Sequence, residues 1–259
     1  MSVTHDLFPH ERREKILDQI SQDGRVSVTE LSQLFSVSEV TIRGDLQTLA
    51  GQNLIVRTHG GAVPATGRYY DLSLTRRRQQ QIDEKGRIGQ AGAELVNNGD
   101  AIFLDSSSTA LSIAQHLKLR RHLTIITNSL VIAQDLLDAT DVTVVMLGGT
   151  LRHDTASLVG EQWLEPLRKY NIQKGFFGAH GLNIPEGLTD VSEAEADVKR
   201  PLVAMCRQSV AVIDATKWGR VGLASFAGTK DIDCVLSDEH APRPMVEAVR
   251  ALGIEVILV

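Results

Sequence analysis

The stretch Ser38-Glu39-Val40-Thr41-Ile42-Arg43-Gly44-Asp45-Leu46-Gln47-Thr48-Leu49-Ala50-Gly51 sets Ile42, Leu46 and Leu49 at i, i+4 and i+7, the period of a helix with one apolar face. Ser38 stands where an N-cap belongs, and Gly51 follows as a stop. Upstream, residues 29–35 predict a second short helix with Leu31, Leu34 and Phe35 inward, joined through Ser36-Val37-Ser38. Two short helices across so tight a connection form a helix-turn-helix arrangement, whose second helix enters the major groove of DNA. A helix over 11–22, with Ile16, Leu17 and Ile20 on one face and a stop at Asp23-Gly24, precedes them, followed by an extended Val26-Ser27-Val28. Leu54 to Val56 and the turn Thr58-His59-Gly60-Gly61 follow as a hairpin, or wing. Residues 1–63 are therefore expected to form a winged helix-turn-helix domain.

The outward face of the 39–50 helix presents short donors and longer side chains of types that read DNA. Arg43 suits guanine edges or phosphates, Gln47 suits adenine, and Ser38 and Thr41 suit phosphates. Arg57 and His59 on the wing are placed for backbone or minor groove. Composition alone fits a three-helix protein-interaction domain equally well. Asp45 is expected to pair with an arginine of the first helix, since DNA would repel it.

At 259 residues, with 42% hydrophobic and 23% charged side chains, the chain is long enough for two domains, and a disordered or low-complexity chain is excluded. The net charge of −5 hides its distribution. Residues 1–65 carry six basic against eight acidic side chains, and 66–87 carry six against three. No segment has the basic excess of an unspecific nucleic-acid coat, so DNA binding must rest on motif geometry. Residues 64–87 are expected to be a linker and hinge, with Arg76, Arg77 and Arg78 on a solvated helix face. Cys206 and Cys234 have neither the number nor the spacing of a disulfide framework or zinc site. Met1 to Asp6 lack a leader's basic start and apolar core, and no apolar run approaches ~18 residues. A cytoplasmic chain with no membrane partner and no metal is expected.

From residue 88 to 259, apolar runs at 101–104, 123–126, 142–147, 175–179, 210–213, 234–236 and 254–259 alternate with helical stretches at 111–117, 130–138, 193–205 and 245–252. That alternation predicts an α/β domain with a mostly parallel, Rossmann-like sheet. Polar groups follow the strands: Asp105-Ser106-Ser107-Ser108-Thr109, then Thr127-Asn128-Ser129, Gly148-Gly149 with Arg152, Gly178-Ala179-His180-Gly181, and Asp214-Ala215-Thr216-Lys217. The carboxyl ends of parallel strands are the usual ligand crevice, and hydroxyls with free N–H groups at a helix start receive anions. This inventory suits a phosphorylated polyol: residues 105–109 and a cation for the phosphate, Asn128, Asp214 and Glu193 for hydroxyls. Asp and Ser serve as plain N-caps about as often. The absence of Gly-x-x-x-x-Gly-Lys-Ser/Thr and Gly-x-Gly-x-x-Gly argues against an NTPase or a dinucleotide cofactor.

The runs Glu11-Arg12-Arg13, Val37 through Leu46 and Arg57-Thr58-His59-Gly60-Gly61-Ala62 resemble the DeoR family of bacterial sugar-operon regulators. So do Gly187-Leu188-Thr189-Asp190 with Glu193, Glu195 and Val198-Lys199-Arg200, and Asp214-x-x-Lys217. The resemblance implies a cytoplasmic repressor, dimeric or tetrameric, that binds double-stranded operator DNA. It also implies a second domain related in fold to ribose-5-phosphate isomerase, whose phosphorylated effector meets residues 105–109, Asn128, Ser129, Gly149, Arg152, His180, Glu193, Lys199, Asp214 and Lys217. Three positions depart from the family pattern: Gly44 in place of a second basic residue, Ser107 in place of glycine, and His180 in place of aspartate. A sugar-phosphate isomerase with an N-terminal interaction module is the alternative.

Overall fold

The computed structural model describes residues 8–23, 25–51, 54–58, 60–64 and 74–259, and the chain divides into two compact units, Met1–Leu72 and Ser73–Val259. Residues 1–7, Gly24, His59 and 65–73, which the leader, helix-stop, wing and linker readings touch, lie outside the described residues.

In the first unit α1 (Pro9–Asp23), β1 (Val26–Ser27), α2 (Val28–Phe35), α3 (Glu39–Gly51), β2 (Ile55–Thr58) and β3 (Gly61–Pro64) follow in order. The strands form an antiparallel sheet, β1-β3-β2. The Ser27 hydroxyl accepts from the Glu30 N–H and the Glu30 carboxylate accepts from the Ser27 N–H, a reciprocal cap that starts α2. Ile16, Ile20, Leu31, Ile42, Leu46 and Leu49 bury the bundle's core. Leu34, expected inward, is 60% exposed. At about 100° per residue, Val28, Leu31 and Phe35 share one arc of α2 and Leu34 falls outside it.

The second unit runs α4 (Leu74–Gln79), α5 (Ile82–Glu94), β4 (Ala101–Leu104), α6 (Ser108–Leu117), β5 (Leu123–Thr127), α7 (Leu130–Asp135), β6 (Val142–Met146), β7 (Thr150–Arg152), β8 (Ser157–Val159), α8 (Leu164–Leu167), β9 (Ile172–Phe177), β10 (Gly181–Asn183), β11 (Gly187–Asp190), α9 (Glu193–Met205), β12 (Cys206–Val212), β13 (Ala224–Ala227), β14 (Cys234–Ser237), α10 (Arg243–Ala251) and β15 (Glu255–Leu258). The seven strands legible as apolar runs form one parallel sheet, β15-β14-β12-β9-β4-β5-β6. Alternate residues feed two core layers. Ile102, Leu104, Val210 and Val212 pack into one, and Phe103, Phe177 and Ala211 into the other. A hairpin, β7-β8, and a small antiparallel sheet, β10-β11-β13, sit outside this frame. Their strands of three or four residues carry too little alternation to be read from sequence.

The stretch 74–87, read as part of a linker, is helical and belongs to the second unit. Arg76 and Arg77 do not lie on a solvated face: both are half-buried, and of the three arginines only Arg78 is exposed. The cause is packing, since Leu74 is buried and α4 lies against α6. No helix among the described residues is long and apolar enough to cross a membrane.

Candidate functional site

Two surfaces carry the polar residues singled out above. On the first unit, Ser38 caps α3, its Oγ accepting from the Thr41 N–H at 3.1 Å while sharing a hydrogen bond with the Thr41 hydroxyl. Arg43 is exposed and donates to Glu39 one turn back at 2.8 Å. Gln47 Oε1 accepts from Arg57 at 2.7 Å, which ties the wing strand β2 to α3. Beneath them Asp45 is buried and clamped, Oδ2 to Arg12 Nε at 2.6 Å and Oδ1 to Arg13 Nε at 2.8 Å. This is the pairing with α1 expected from sequence, and it fixes the rotation of α3 against the bundle. At Gly44 an added Cβ would meet nothing within 4 Å, so packing does not require glycine there.

On the second unit the sheet order reverses between β4 and β9: β5 and β6 extend one way, β12, β14 and β15 the other. A crevice opens at the carboxyl ends of strands at such a switch point. Asp105 bridges it, Oδ1 accepting from the Ser107 N–H at 3.0 Å and Oδ2 from the Gly178 N–H at 2.9 Å. Close approach explains Gly178, where a Cβ would strike the Ser107 side chain. Lys199, reaching in from α9, lies 2.9 Å from Asp105 Oδ2 and from Asp190 Oδ2 and donates to the Gly178 carbonyl at 2.8 Å. Burial alone would lower its pKa, but the carboxylates of Asp105, Asp190 and Glu195 overcome this and hold it above the ordinary lysine value. Burial would likewise raise Asp190, yet Lys199 and, with a smaller effect, Arg77 hold it below the usual carboxylate range.

Beside this ion cluster lies a hydroxyl cluster organised by Glu195. Its carboxylate accepts from Ser106 at 3.1 Å, Thr155 at 2.9 Å and Ser157 at 2.6 Å. Arg152 grips Asp154 with Nε and Nη2, at 3.2 and 2.6 Å, and also donates to Ser192. Leu104 is in register with Thr127, so Asp105 and Asn128 emerge side by side from adjacent strands. Asn128 is 1% exposed; its amide donates to the Leu158 carbonyl while its Oδ1 has no hydrogen-bond partner.

Several expected ligand groups are engaged in capping. Ser107 and Ser129 accept from Ala110 and Ile132 as N-caps of α6 and α7. Asp214 caps the 3-10 turn Ala215–Lys217, accepting from the Thr216 N–H and hydroxyl. Gly149, at φ 135°, starts the β7 hairpin. Ser108 and Thr109 are buried at the start of α6, where first-turn N–H groups have no intrahelical acceptor. His180 is half-buried, its N–H donating to Thr189 at 2.9 Å. Glu193 points away: it is exposed, and Glu195 takes the inward place. Glu195 shares a face with Lys199 four residues on, the helical signal that distinguishes it from Glu193.

Two cations escaped the sequence reading. Lys85 is buried, donating at 2.5 Å to the carbonyls of Arg77 and Gln80. Burial pushes its pKa down to about 8, against the pull of Asp214 and with a further push from Lys217 and Arg77. Arg77 has Nε and Nη2 buried with no hydrogen-bond partner. Among the described residues no cluster of three or more His, Cys, Asp or Glu is arranged to hold a metal.

Residues 12–67 match the DeoR-like helix-turn-helix domain and residues 80–239 the DeoR C terminal sensor domain. The HTH-type transcriptional regulator GolR of Listeria innocua is 33% identical over 250 residues, covering 96% of this chain and 98% of that one. The glycerol-3-phosphate regulon repressor of Escherichia coli is 33% identical over 233 residues, 90% and 92% of the two chains. The repressor GlcR of Bacillus subtilis is 31% identical over 97% of each. Among solved structures, ribose 5-phosphate isomerase A from Methanocaldococcus jannaschii is similar at 16% identity and TM-score 0.41, covering 54% of this chain and 55% of that one, too distant to carry an argument about chemistry.

Proposed function

The chain belongs to the DeoR family of transcriptional regulators, and from that premise we propose that it represses a carbohydrate-utilisation operon and releases operator DNA when a phosphorylated sugar or polyol binds its second unit. Arg43 and Gln47 read and grip the operator with Ser38 and Thr41 at the phosphates, and Arg57 and His59 on the wing meet the backbone or minor groove. The intramolecular partners of Arg43, Gln47 and Arg57 are exposed groups that give way to DNA at small cost. The observation that carries the effector half is the Asn128 Oδ1, a buried acceptor without a donor, beside the buried hydroxyls at the start of α6. A buried orphan of this kind calls for a partner, and a polyol hydroxyl supplies one while the α6 N–H groups and Lys217 receive the phosphate.

A sensor fits these residues better than an isomerase. Moving a proton between adjacent carbons needs a carboxylate free to act as base, whereas Glu195 accepts three hydroxyls and Asp105 is bound to Lys199 and Gly178. The protein acts in the cytoplasm as a symmetric dimer or tetramer, matching paired operator half-sites. The chain that joins the two units passes the change between them, and a coupling of about 1–3 kcal/mol suffices for regulation.

Binding of the protein to its own promoter DNA, followed by fluorescence anisotropy with glycerol 3-phosphate, ribose 5-phosphate, glucose 6-phosphate and their unphosphorylated counterparts, tests this reading. Release by a phosphorylated compound alone is the expected result; turnover of that compound without release would replace the sensor with an enzyme. Arg43→Ala should weaken operator binding by about 1–3 kcal/mol with effector binding intact, and Lys217→Ala should do the reverse.

A further inference from the structure

Arginine carries five N–H donors in a fixed fork and stays charged, so burying part of that fork without acceptors is unfavourable unless something else meets it. At Arg77 the Nε and Nη2 atoms are in that position. They form the edge of the guanidinium that engages carboxylates and phosphates in a two-point grip.

The surrounding contacts place α4, which carries this edge, beside the crevice. At its N-terminal end α4 is fastened by the Leu74 N–H to the Asp154 carbonyl at 3.0 Å. Asp154 is the residue that Arg152 grips beside Glu195. At its other end Lys85 draws in the Arg77 and Gln80 carbonyls. Between these ties α4 packs on α6, the helix that begins at the buried hydroxyls. Arg77 lies near enough to Asp190 and Lys85 for its charge to act on both, and Lys85 in turn feels Lys217 and Asp214. Three cations from three separate elements, α4, α5 and the 3-10 turn after β12, thus converge on one end of the sheet. Their nearest acids are largely committed: Asp190 to Lys199 and Asp214 to its own turn. With those acids engaged, the Nε–Nη2 edge of Arg77 is left as a pair of buried donors with no acceptor.

We propose that Arg77 is an effector ligand, its buried Nε–Nη2 edge receiving the anionic head of the effector and so making α4 part of the sensing site. The inference rests on the effector reading above and adds to it the residue that recognises the charge and the element that registers its arrival. Because α4 opens the second unit in chain order, an anion that holds Arg77 also holds the first turns of that unit. Occupancy is thereby expressed as order in the segment nearest the operator-reading unit in sequence.

The test is calorimetric titration of the full chain with inorganic phosphate, glycerol 3-phosphate, ribose 5-phosphate and glucose 6-phosphate, paired with hydrogen exchange of the 74–79 amides. Arg77→Gln should weaken every probe that the unsubstituted protein binds by tenfold or more. Arg77→Lys should retain part of the affinity, and Arg78→Gln, at an exposed neighbour, should leave it unchanged. Exchange at 74–79 should slow on binding in the unsubstituted protein and not in Arg77→Gln. Binding by Arg77→Gln within twofold of the unsubstituted protein, or exchange at α4 indifferent to bound probe, overturns the assignment while the effector reading stands. If the unsubstituted protein binds none of the four, the effector reading falls and takes this inference with it. Should Arg77→Gln fail to fold, the Arg77→Lys affinity and the exchange of the unsubstituted protein decide the matter alone.

Discussion

The two units use their polar residues in opposite ways. On α3 and the wing, Arg43, Gln47 and Arg57 are exposed and paired with neighbours four to ten residues away, so water screens each bond and its loss costs little. In the crevice, Asp105, Lys199 and Glu195 are buried, and the bonds of Glu195 to Ser106 and Ser157 and of Asp105 to Gly178 span 38 to 89 residues, where an unpaired charge is costly. On the proposed reading, a surface that exchanges its partners for DNA keeps them cheap to break. On the same reading, a pocket that holds one shape for a small ligand keeps its frame expensive to break. Asp45 marks the boundary inside the first unit: one residue beyond the exposed Gly44, it is buried and paired with Arg12 and Arg13 like a crevice residue.

The comparison can be broken most directly by removing one buried charge from each unit. Lys199→Met leaves Asp105 and Asp190 facing each other in a buried site and should cost about 3–5 kcal/mol, read as a lowered denaturation midpoint of the second unit. Asp45→Ala should cost somewhat less, about 3 kcal/mol, because Arg13 retains access to water. A larger loss from Asp45→Ala would reverse the contrast.

Lys85 sharpens it further through pH. Its folded pKa of about 8 lies below the ordinary 10.5, so the folded state disfavours its charged form. Below pH 8 both states carry the proton and the penalty is fully present. Between pH 8 and 10.5 the unfolded chain holds the proton that the folded chain has lost, and stability rises. Relative to Lys85→Met, the unsubstituted protein should therefore gain up to about 3 kcal/mol across that window, measured by urea denaturation at fixed ionic strength. A flat difference would mean that Lys85 is not held in a buried setting.

The smallest effect belongs to the exposed surface. Gly44→Ala should stabilise α3 by up to about 1 kcal/mol, since nothing lies within 4 Å of the added Cβ. Gly44→Lys should steepen the salt dependence of operator binding by about one unit of slope. No gain in thermal midpoint from the alanine variant would show that the glycine serves the packed unit after all.

Much of the frame was legible because its signals are local. The apolar period of α3, the Ser38 cap and the seven apolar runs each need only a window of a few residues, and Asp45 was readable because a carboxylate on a helix expected to face DNA has to find a cation. The site was legible only as a neighbourhood. Residues 105–109 and Asn128 sit at the strand ends where alternation of β and α places them, yet Ser107, Ser129 and Asp214 cap helical turns instead. Nothing local separates a capping serine from a ligand serine.

By itself the sequence determined the order of the two units, the helix-turn-helix, the strands of the parallel sheet and the end of the sheet where polar groups collect, since periodicity and capping act over one or two turns. Tertiary structure alone decided which of those groups satisfy one another and which remain open. It turned Glu195 inward, joined Lys199 to both Asp105 and Asp190, and folded Arg77 onto the second unit with two donors unmatched. The reason is physical: desolvation sets the strength of a charge or hydrogen bond, and whether a side chain is desolvated depends on elements tens of residues away.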